Sequence, residues 1–404
     1  MNFELFLARR LSSSKLNRNY YSGPIISICI CAITISIIIM IISIGTTNGL
    51  KIAIKNTINQ TESDLLISKL YEKNIFSPIK IDTNIISQIK KIDGIINFHA
   101  VINKPTIISV EDKIEGIIIK GIDTTYKSQL IKNHIITGKY FDKIDKNEII
   151  ISENQAKKLK LNVGESCILN FLTQNNNLKK RKFHVCGIFK MENETFNNNY
   201  AYSKIESIKK INKWQNNEVS NYEIELNKKS NYNQIIEKIN SLIDYDLVVQ
   251  SMQSRFPSIF NWINLFEKNM FFILTIMSII CLINMTNALL ILVLERIKMI
   301  GVLKSYGCSN YSILKIFLYN SWKITIKGII IGNIIGVIIC LIQEKTQIIK
   351  LDSASYFVNY LPIYLDISLI LFMNIITFLI IQISIILPYF IIKNITPSNI
   401  LKIN

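Results

Sequence analysis

The chain is poor in the groups that carry covalent and metal chemistry. Of its 404 residues only three are histidine, His99, His134 and His184. None stands four residues from another and no H-E-x-x-H occurs, so a zinc or facial-triad site has no support. His184 alternates with Phe183 and Val185, which reads as a solvent-facing position on a strand. No G-x-S-x-G elbow is present, and the long apolar runs hold no Asp, Glu or His of the kind an intramembrane protease or proton-coupled pump requires. The one Gly-Lys dipeptide, Gly138-Lys139, is followed by Tyr140, so there is no G-x-x-x-x-G-K-[ST] loop. The chain is therefore expected to bind no cofactor of its own and to draw any ATP-derived energy from a partner. Seven cysteines form no framework. Cys29, Cys31, Cys281 and Cys340 lie in apolar runs as small hydrophobes. Cys308 lies in a basic stretch. Cys167 and Cys186 fall on adjacent strand candidates, and whether they pair depends on a register the sequence leaves open.

Charge is scarce as well. Only 19% of residues are charged, with 46 basic against 29 acidic, for a formal charge of +17. An ordinary soluble domain carries nearer a quarter. Forty of the 46 basic residues are lysine, and isoleucine and asparagine are abundant. That is the bias of an AT-rich genome, so a single Lys, Ile or Asn says little about function. A nucleic-acid reader would gather its charge with stacking aromatics on one face. Here the placement points elsewhere, and nucleic acid is not expected as a partner.

The apolar residues, 49% of the chain, lie in blocks. Asn19–Leu50 contains no charged residue, nor do Asn269–Leu294 and Ile367–Ile392, and each is long enough for the roughly 20 helical residues that cross a hydrocarbon core. A shorter block, Gly328–Gln343, reaches that length if Lys323 and Lys327 snorkel to the headgroups. Four transmembrane helices follow, at 24–47, 269–294, 323–343 and 367–392. The first is too long for a signal-peptide core and lacks an A-x-A-like site after it, so it reads as an uncleaved anchor. Arg9, Arg10, Lys15 and Arg18 precede it. Arg296, Lys298, Lys304, Lys315, Lys323 and Lys327 follow the second block. By the positive-inside rule both termini, 1–23 and 393–404, and the 295–322 loop face the cytoplasm. The 344–366 loop is balanced in charge and stands outside with residues 48–268.

That large outer segment alternates strand signals with helical spacing. Asp64-LLISKL, Ile95-INFHAVI, Gly116-IIIKGI, Glu148-IIIS, Cys167-ILNFLT, Arg181-KFHVCGIF, Tyr222-EIEL and Leu247-VVQSM read as strands. Residues 83–92, 153–161, 203–213 and 231–243 read as helices. Asn175–Asn177 marks a hairpin turn. The fold class expected is an α-helical membrane protein with four transmembrane helices plus a large α+β extracytoplasmic domain between helices 1 and 2. No Pro- or Gly-rich linker joins that domain to the spans. Its ends read equally as helical stalks continuous with the spans or as plain amphipathic connectors.

Two features stand out. Gly328, Gly332 and Gly336 recur at four-residue steps and make one smooth helix face for close packing, either within the chain or against a second subunit. The stretch Glu295-RIKMIGVLKSYGCSNYSILKIFLYNSW is too apolar for a loose loop and too charged for a span. Gly307 is placed to end a short helix, and Ser309 or Asn310 to cap the next. Tyr311, Leu314, Ile316, Phe317 and Leu318 then predict a short surface helix. Such an elbow either only reorients the chain at the membrane surface or docks in a groove on a cytoplasmic protein.

At this elbow the sequence resembles the FtsX-like/MacB permease family, whose pattern is near E-R-x-x-x-I-G-x-L-K-x-x-G-[AC]-x-x-x-x-I. Here it reads Glu295-Arg296, Ile300-Gly301, Leu303-Lys304, Gly307-Cys308 and Ile313. Met299 replaces the common acid before the Ile-Gly pair, so a contact through that carboxylate is not carried over. Ile395, Pro397 and Leu401 match the closing I-x-P-x-x-x-L. Phe3-ELFLARRL is similar to the start of lipoprotein-releasing subunits of the LolC/LolE type. The resemblance implies a pair of permease subunits in the bacterial inner membrane. It also implies a cytoplasmic ABC ATPase dimer gripping the elbow through Glu295, Arg296, Ile300, Gly301, Leu303, Lys304, Gly307, Ser309, Ile313 and Phe317. Closure of that ATPase would work the outer domain, and the chain itself would be no enzyme. In the lipoprotein-releasing branch the cargo is an acylated lipoprotein passed to a periplasmic carrier. The alternatives are an FtsX-like mechanical regulator of cell-wall hydrolases and a MacB-like exporter of peptides or small molecules. Outside the family, an adhesion or sensory receptor lacking any ATPase would leave the elbow without a partner.

Overall fold

The computed structural model describes residues 22–70, 78–123, 126–141, 147–172, 178–191, 194–215, 217–227, 230–352, 356 and 358–394. The basic N-terminal segment, the Asn175–Asn177 turn and the Ile395–Leu401 motif lie outside them. The chain divides into two compact units, one of residues 1–52, 262–350 and 360–404 and the other of residues 53–261 and 351–359.

Four of the described helices are long and apolar enough to cross a membrane: Gly23–Thr61, Pro257–Glu295, Asn310–Thr346 and Ile367–Asn394. The first continues unbroken past its apolar block to Thr61, and the second begins at Pro257, well ahead of its own. Proline suits that first position, where its missing N–H would be unpaired anyway. The third departs from expectation. Residues 311–322 do not form a separate surface helix, because a single helix runs from Asn310 to Thr346. Neither glycine nor proline interrupts the sequence between Ser309 and Gly328, and Lys323 and Lys327 are good helix formers. The fourth is broken into Ile367–Gln382, a 3-10 turn at Ile383–Ile385 and Ile386–Asn394. Pro388 supplies no N–H for the carbonyl four residues back, and the turn tightens there.

In the first unit Cys29, Ile33, Ile37, Met40, Ile41, Met285, Leu289, Cys340, Met373 and Ile381 form a packed interior between the helices. The glycine stripe makes that packing possible. A Cβ on Gly328 would stand 2.7 Å from Ile33, one on Gly332 2.7 Å from Ile37 and one on Gly336 3.1 Å from Ile41. Thr34 adds an interhelical hydrogen bond from its hydroxyl to the Gly328 carbonyl at 3.4 Å. Asn333 and Asn374 pair amide to amide, at 3.1 and 2.9 Å in the two directions. Such a pair satisfies polar groups that hydrocarbon would leave bare. Gly45 and Gly49 receive the chain that precedes the fourth helix. The Tyr364 N–H donates to the Gly45 carbonyl at 3.0 Å, and a Cβ on Gly49 would collide with Pro362 O at 2.2 Å. The Lys51 ammonium donates to the Glu267 carboxylate, tying the first two helices beyond their apolar blocks.

The second unit is an α+β domain. Its described strands are β1 (Leu65–Lys69), β2 (Ile79–Lys80), β3 (Ile95–Val110), β4 (Lys113–Ile122), β5 (Ile135–Gly138) and β6 (Glu148–Ser152). They continue with β7 (Ser166–Leu172), β8 (Leu178–Phe189), β9 (Tyr200–Lys204), β10 (Glu218–Val219), β11 (Asn221–Leu226) and β12 (Leu247–Ser251). The main sheet runs β12-β1-β11-β3-β4-β9-β6-β8-β5, with β7 bridging β3 and β8, while β2 and β10 pair apart. Strand β3 is the spine. Its first half pairs antiparallel with β11 and its second half with β4. The pairs β4–β9 and β6–β8 are parallel. Sequence pattern explains the placement. Strand β6 is buried along its whole length and reads Glu-Ile-Ile-Ile-Ser, a continuous run suited to a central strand. Strand β8 alternates exposed Lys182 and His184 with buried Phe183 and Val185. Ser152 then caps the helix Glu153–Leu159 in a reciprocal capping box with Gln155.

Cys167 pairs across the ladder with Phe183, three residues short of Cys186, so the two thiols do not face each other and both are free. Burial pushes each thiol up to about 12, which makes them inert packing groups. No group of three or more His, Cys, Asp or Glu among the described residues is placed to hold a metal.

Candidate functional site

The elbow is built by one break and one turn. The second long helix ends at Glu295, Arg296 leaves helical geometry, and a short helix follows at Ile297–Ser305. Gly307 then adopts φ +83°. Its N–H donates to the Lys304 carbonyl at 3.0 Å, and that of Cys308 to the Leu303 carbonyl at 3.0 Å. Those two bonds are a Schellman closure, which needs the left-handed conformation glycine adopts without strain. A Cβ at Gly307 would meet nothing within 4 Å, so backbone conformation and not space calls for glycine there. Ser309 caps the next helix, its hydroxyl accepting from the Ser312 N–H at 3.2 Å.

The predicted site residues separate into two groups. Ile300, Ile313 and Phe317 are buried together with Val293 and Ile392, and Leu303 and Cys308 pack on them. Gly301 is buried in the short helix. These residues set the angle between the helices. Glu295, Gly307 and Ser309 are exposed, and Arg296 is half-buried. Lys304 lies in neither group as a free charge. Its ammonium donates to the Ile392 carbonyl at 2.6 Å and reaches that of Lys393 at 3.5 Å, at the end of the last helix. A cation there satisfies orphan carbonyls and opposes the helix dipole. Burial lowers its pKa.

The outward surface of the elbow is carried by residues that motif reading passed over. Val302 on the short helix, Tyr306 at its C-cap and Tyr311 at the start of the next helix are exposed large side chains, Tyr306 at 84%. Lys298 is exposed beside them, and the Lys315 ammonium stands 4.7 Å over the Tyr311 ring. The elbow thus carries an exposed aromatic and aliphatic strip with cations beside it. The signal was available. Within a short helix whose Ile300 points inward, Val302 falls on the far side by helical spacing.

Residues 27–242 match the MacB-like periplasmic core domain, and residues 271–397 match the FtsX-like permease C-terminal domain. The chain belongs to the FtsX-like/MacB-type ABC permease family. It is a multi-pass membrane permease subunit with four spans and an α+β periplasmic domain, and the ATPase of such a system is a separate subunit. The permease is 26% identical over 395 residues to "Lipoprotein-releasing system transmembrane protein LolC" of Buchnera aphidicola from Acyrthosiphon pisum, covering 90% of this chain and 93% of that one. It is 22% identical to a Haemophilus influenzae protein named as transmembrane protein LolE of the same system, covering 70% and 71% of the two chains. The periplasmic region of MacB from Actinobacillus actinomycetemcomitans superposes with a TM-score of 0.37 at 14% identity, covering 52% of the permease and 98% of that structure.

Proposed function

We propose that this permease releases lipoproteins from the bacterial inner membrane, driven by a cytoplasmic ABC ATPase dimer and acting beside a second permease subunit. The observation that supports this most directly is the likeness to lipoprotein-releasing LolC along nine-tenths of both chains. In this reading both termini and the elbow face the cytoplasm. The ATPase grips the strip of Val302, Tyr306 and Tyr311, while Ile300, Ile313 and Phe317 keep the elbow rigid enough to pass the force on. The outer domain then hands acylated cargo to a periplasmic carrier.

The test has two arms. The permease purified from its native membrane should bring with it a Walker-type ATPase, and exchanging Tyr306 and Tyr311 for Asp should remove that ATPase while the permease stays folded. Proteoliposomes holding the intact complex should release an acylated lipoprotein in an ATP-dependent manner. Retention of the ATPase by the double variant would remove the elbow's assigned role. Recovery of a cell-wall hydrolase at residues 53–261, with no lipoprotein released, would replace lipoprotein release by mechanical regulation.

A further inference from the structure

The periplasmic unit contains a buried ionic cluster that neither motif nor family match accounts for. It gathers Glu62, Lys120, Tyr126, Lys127, Glu223 and Arg255. The first long helix ends at Thr61, leaving carbonyls in its last turn without helical partners. Cations take them up. The Lys127 ammonium donates to the Asn59 carbonyl at 2.9 Å and the Glu62 carbonyl at 2.7 Å. The Lys120 ammonium reaches the Thr61 carbonyl at 3.4 Å and pairs with the Glu223 carboxylate at 2.7 Å. Arg255, two residues before the second long helix begins at Pro257, pairs with Glu62 at 2.7 Å and donates to the Ser63 carbonyl. The Tyr126 hydroxyl donates to Glu223 at 2.6 Å. The side chains of Lys120 and Glu223 are each only 2% exposed.

The end of one long helix, the start of another and the centre of the sheet thus meet in a single knot. We infer that this knot is a mechanical joint, in which Lys120, Lys127, Glu223 and the Glu62–Arg255 pair are positioning residues that make both long helices and the sheet move together. The inference rests on the proposed function, in which an ATPase drives the outer domain through those helices.

The chemistry favours a joint over a plain core contact. Apolar side chains slide past one another without losing a specific partner, since their attraction has no direction. A buried ammonium bound to named carbonyls and a carboxylate loses partners with any displacement, and an uncompensated buried charge is strongly unfavourable. Such a contact resists slip. Buried ion pairs also add little net stability over well-packed apolar groups, so stability alone gives no reason to place one here.

The experiment uses the full permease with its ATPase in nanodiscs. Dyes are placed on exposed Tyr245 and exposed Ile348 through unnatural side chains, and energy transfer is followed as ATP is added. The wild type should show an ATP-linked change. Glu62→Leu combined with Arg255→Met removes both members of a pair and leaves no lone charge. It should assemble, unfold at a temperature near the wild type's and hydrolyse ATP, yet lose that change. Arg255→Lys keeps the charge but not the forked contact, and should retain part of it even if the double variant proves unstable. A change as large as the wild type's in both variants would overturn the joint. Absence of the change in the wild type, despite bound and active ATPase, would overturn the functional reading and the joint with it.

Discussion

Gly332 lies so close to Ile37 that a single added carbon would stand 2.7 Å from the isoleucine Cβ and 3.0 Å from the Thr34 carbonyl oxygen. The first and third long helices are held at this distance because glycine has no side chain there. The contact is made within one chain. Gly332→Ala must push the helices apart or distort Ile37, at a cost of about 1–3 kcal/mol. Gly328→Ala should cost as much, since it meets Ile33 at 2.7 Å, whereas Gly336→Ala meets Ile41 at 3.1 Å and should cost less. Thermal unfolding of the three variants in one detergent checks the order. Equal melting temperatures for Gly332→Ala and Gly336→Ala would contradict it.

Gly307 is held by conformation and not by crowding. At φ +83°, with open space where a Cβ would go, Gly307→Ala should destabilise the elbow by about 1–2 kcal/mol. Gly307→Asn should cost less than Gly307→Val, because asparagine tolerates the left-handed region and a β-branched residue does not. The readout is hydrogen exchange across 297–313, where the alanine and valine variants should lose protection at Cys308 first, its N–H being the outer bond of the closure.

Much of this architecture was legible in the sequence, and the exceptions share a cause. Charge-free blocks locate the membrane helices because burial in hydrocarbon tolerates few alternatives, and Gly307 and Ser309 announce the turn because backbone geometry selects them. The eight runs read as strands all fall on strands, since half-buried strands impose period-two alternation and fully buried ones, such as β6, continuous apolar runs. Strands β2, β5, β9 and β10 carry no such signal. Ile-Ile-Thr-Gly and Tyr-Ala-Tyr-Ser-Lys are too short and irregular to show a period, and tertiary pairing makes them strands. The continuous helix over Asn310–Thr346 does not show in the hydropathy pattern, because lysine interrupts hydrophobicity without interrupting helix. Lys120 and Lys127 do not stand out among forty lysines, and the motif that marks Lys304 does not show that it turns inward. Their roles depend on carbonyls and carboxylates far away in sequence, which composition cannot reveal.

Lys304 matches a family motif, yet it turns inward to cap the last helix at Ile392. Lys304→Met keeps the stem and removes the donor, leaving those carbonyls short of a partner at a cost of about 1–3 kcal/mol. The loss should appear as faster hydrogen exchange in Ile386–Asn394. ATPase association should weaken only as far as that helix frays. If Lys304→Met abolishes ATPase binding while exchange in the last helix is unchanged, the lysine acts by direct contact and its capping role is secondary.

Lys104 offers a pH signature for the periplasmic domain. Its ammonium donates to the Asn212 side-chain oxygen and lies 5.9 Å from the Phe171 ring centroid, almost wholly buried. Burial, reinforced by the nearby Lys179 charge, lowers its pKa from 10.5 to about 8. The folded state therefore releases this proton near pH 8, while the unfolded chain keeps it until about pH 10.5. Between those values the unfolded state binds more protons, so this group's contribution makes the fold more stable as pH rises, and below pH 8 its penalty is constant. Other groups titrate in the same window with the opposite sign, Cys167 and Cys186 among them, because burial holds their thiols protonated up to about 12. The comparison must therefore be with Lys104→Met under identical conditions. Relative to wild type, the variant should have its greatest advantage at pH 7–8 and lose it progressively toward pH 10.5, measured by denaturant unfolding at a series of pH values. A difference between the two proteins that stays flat across that range would mean that Lys104 remains charged in the folded domain.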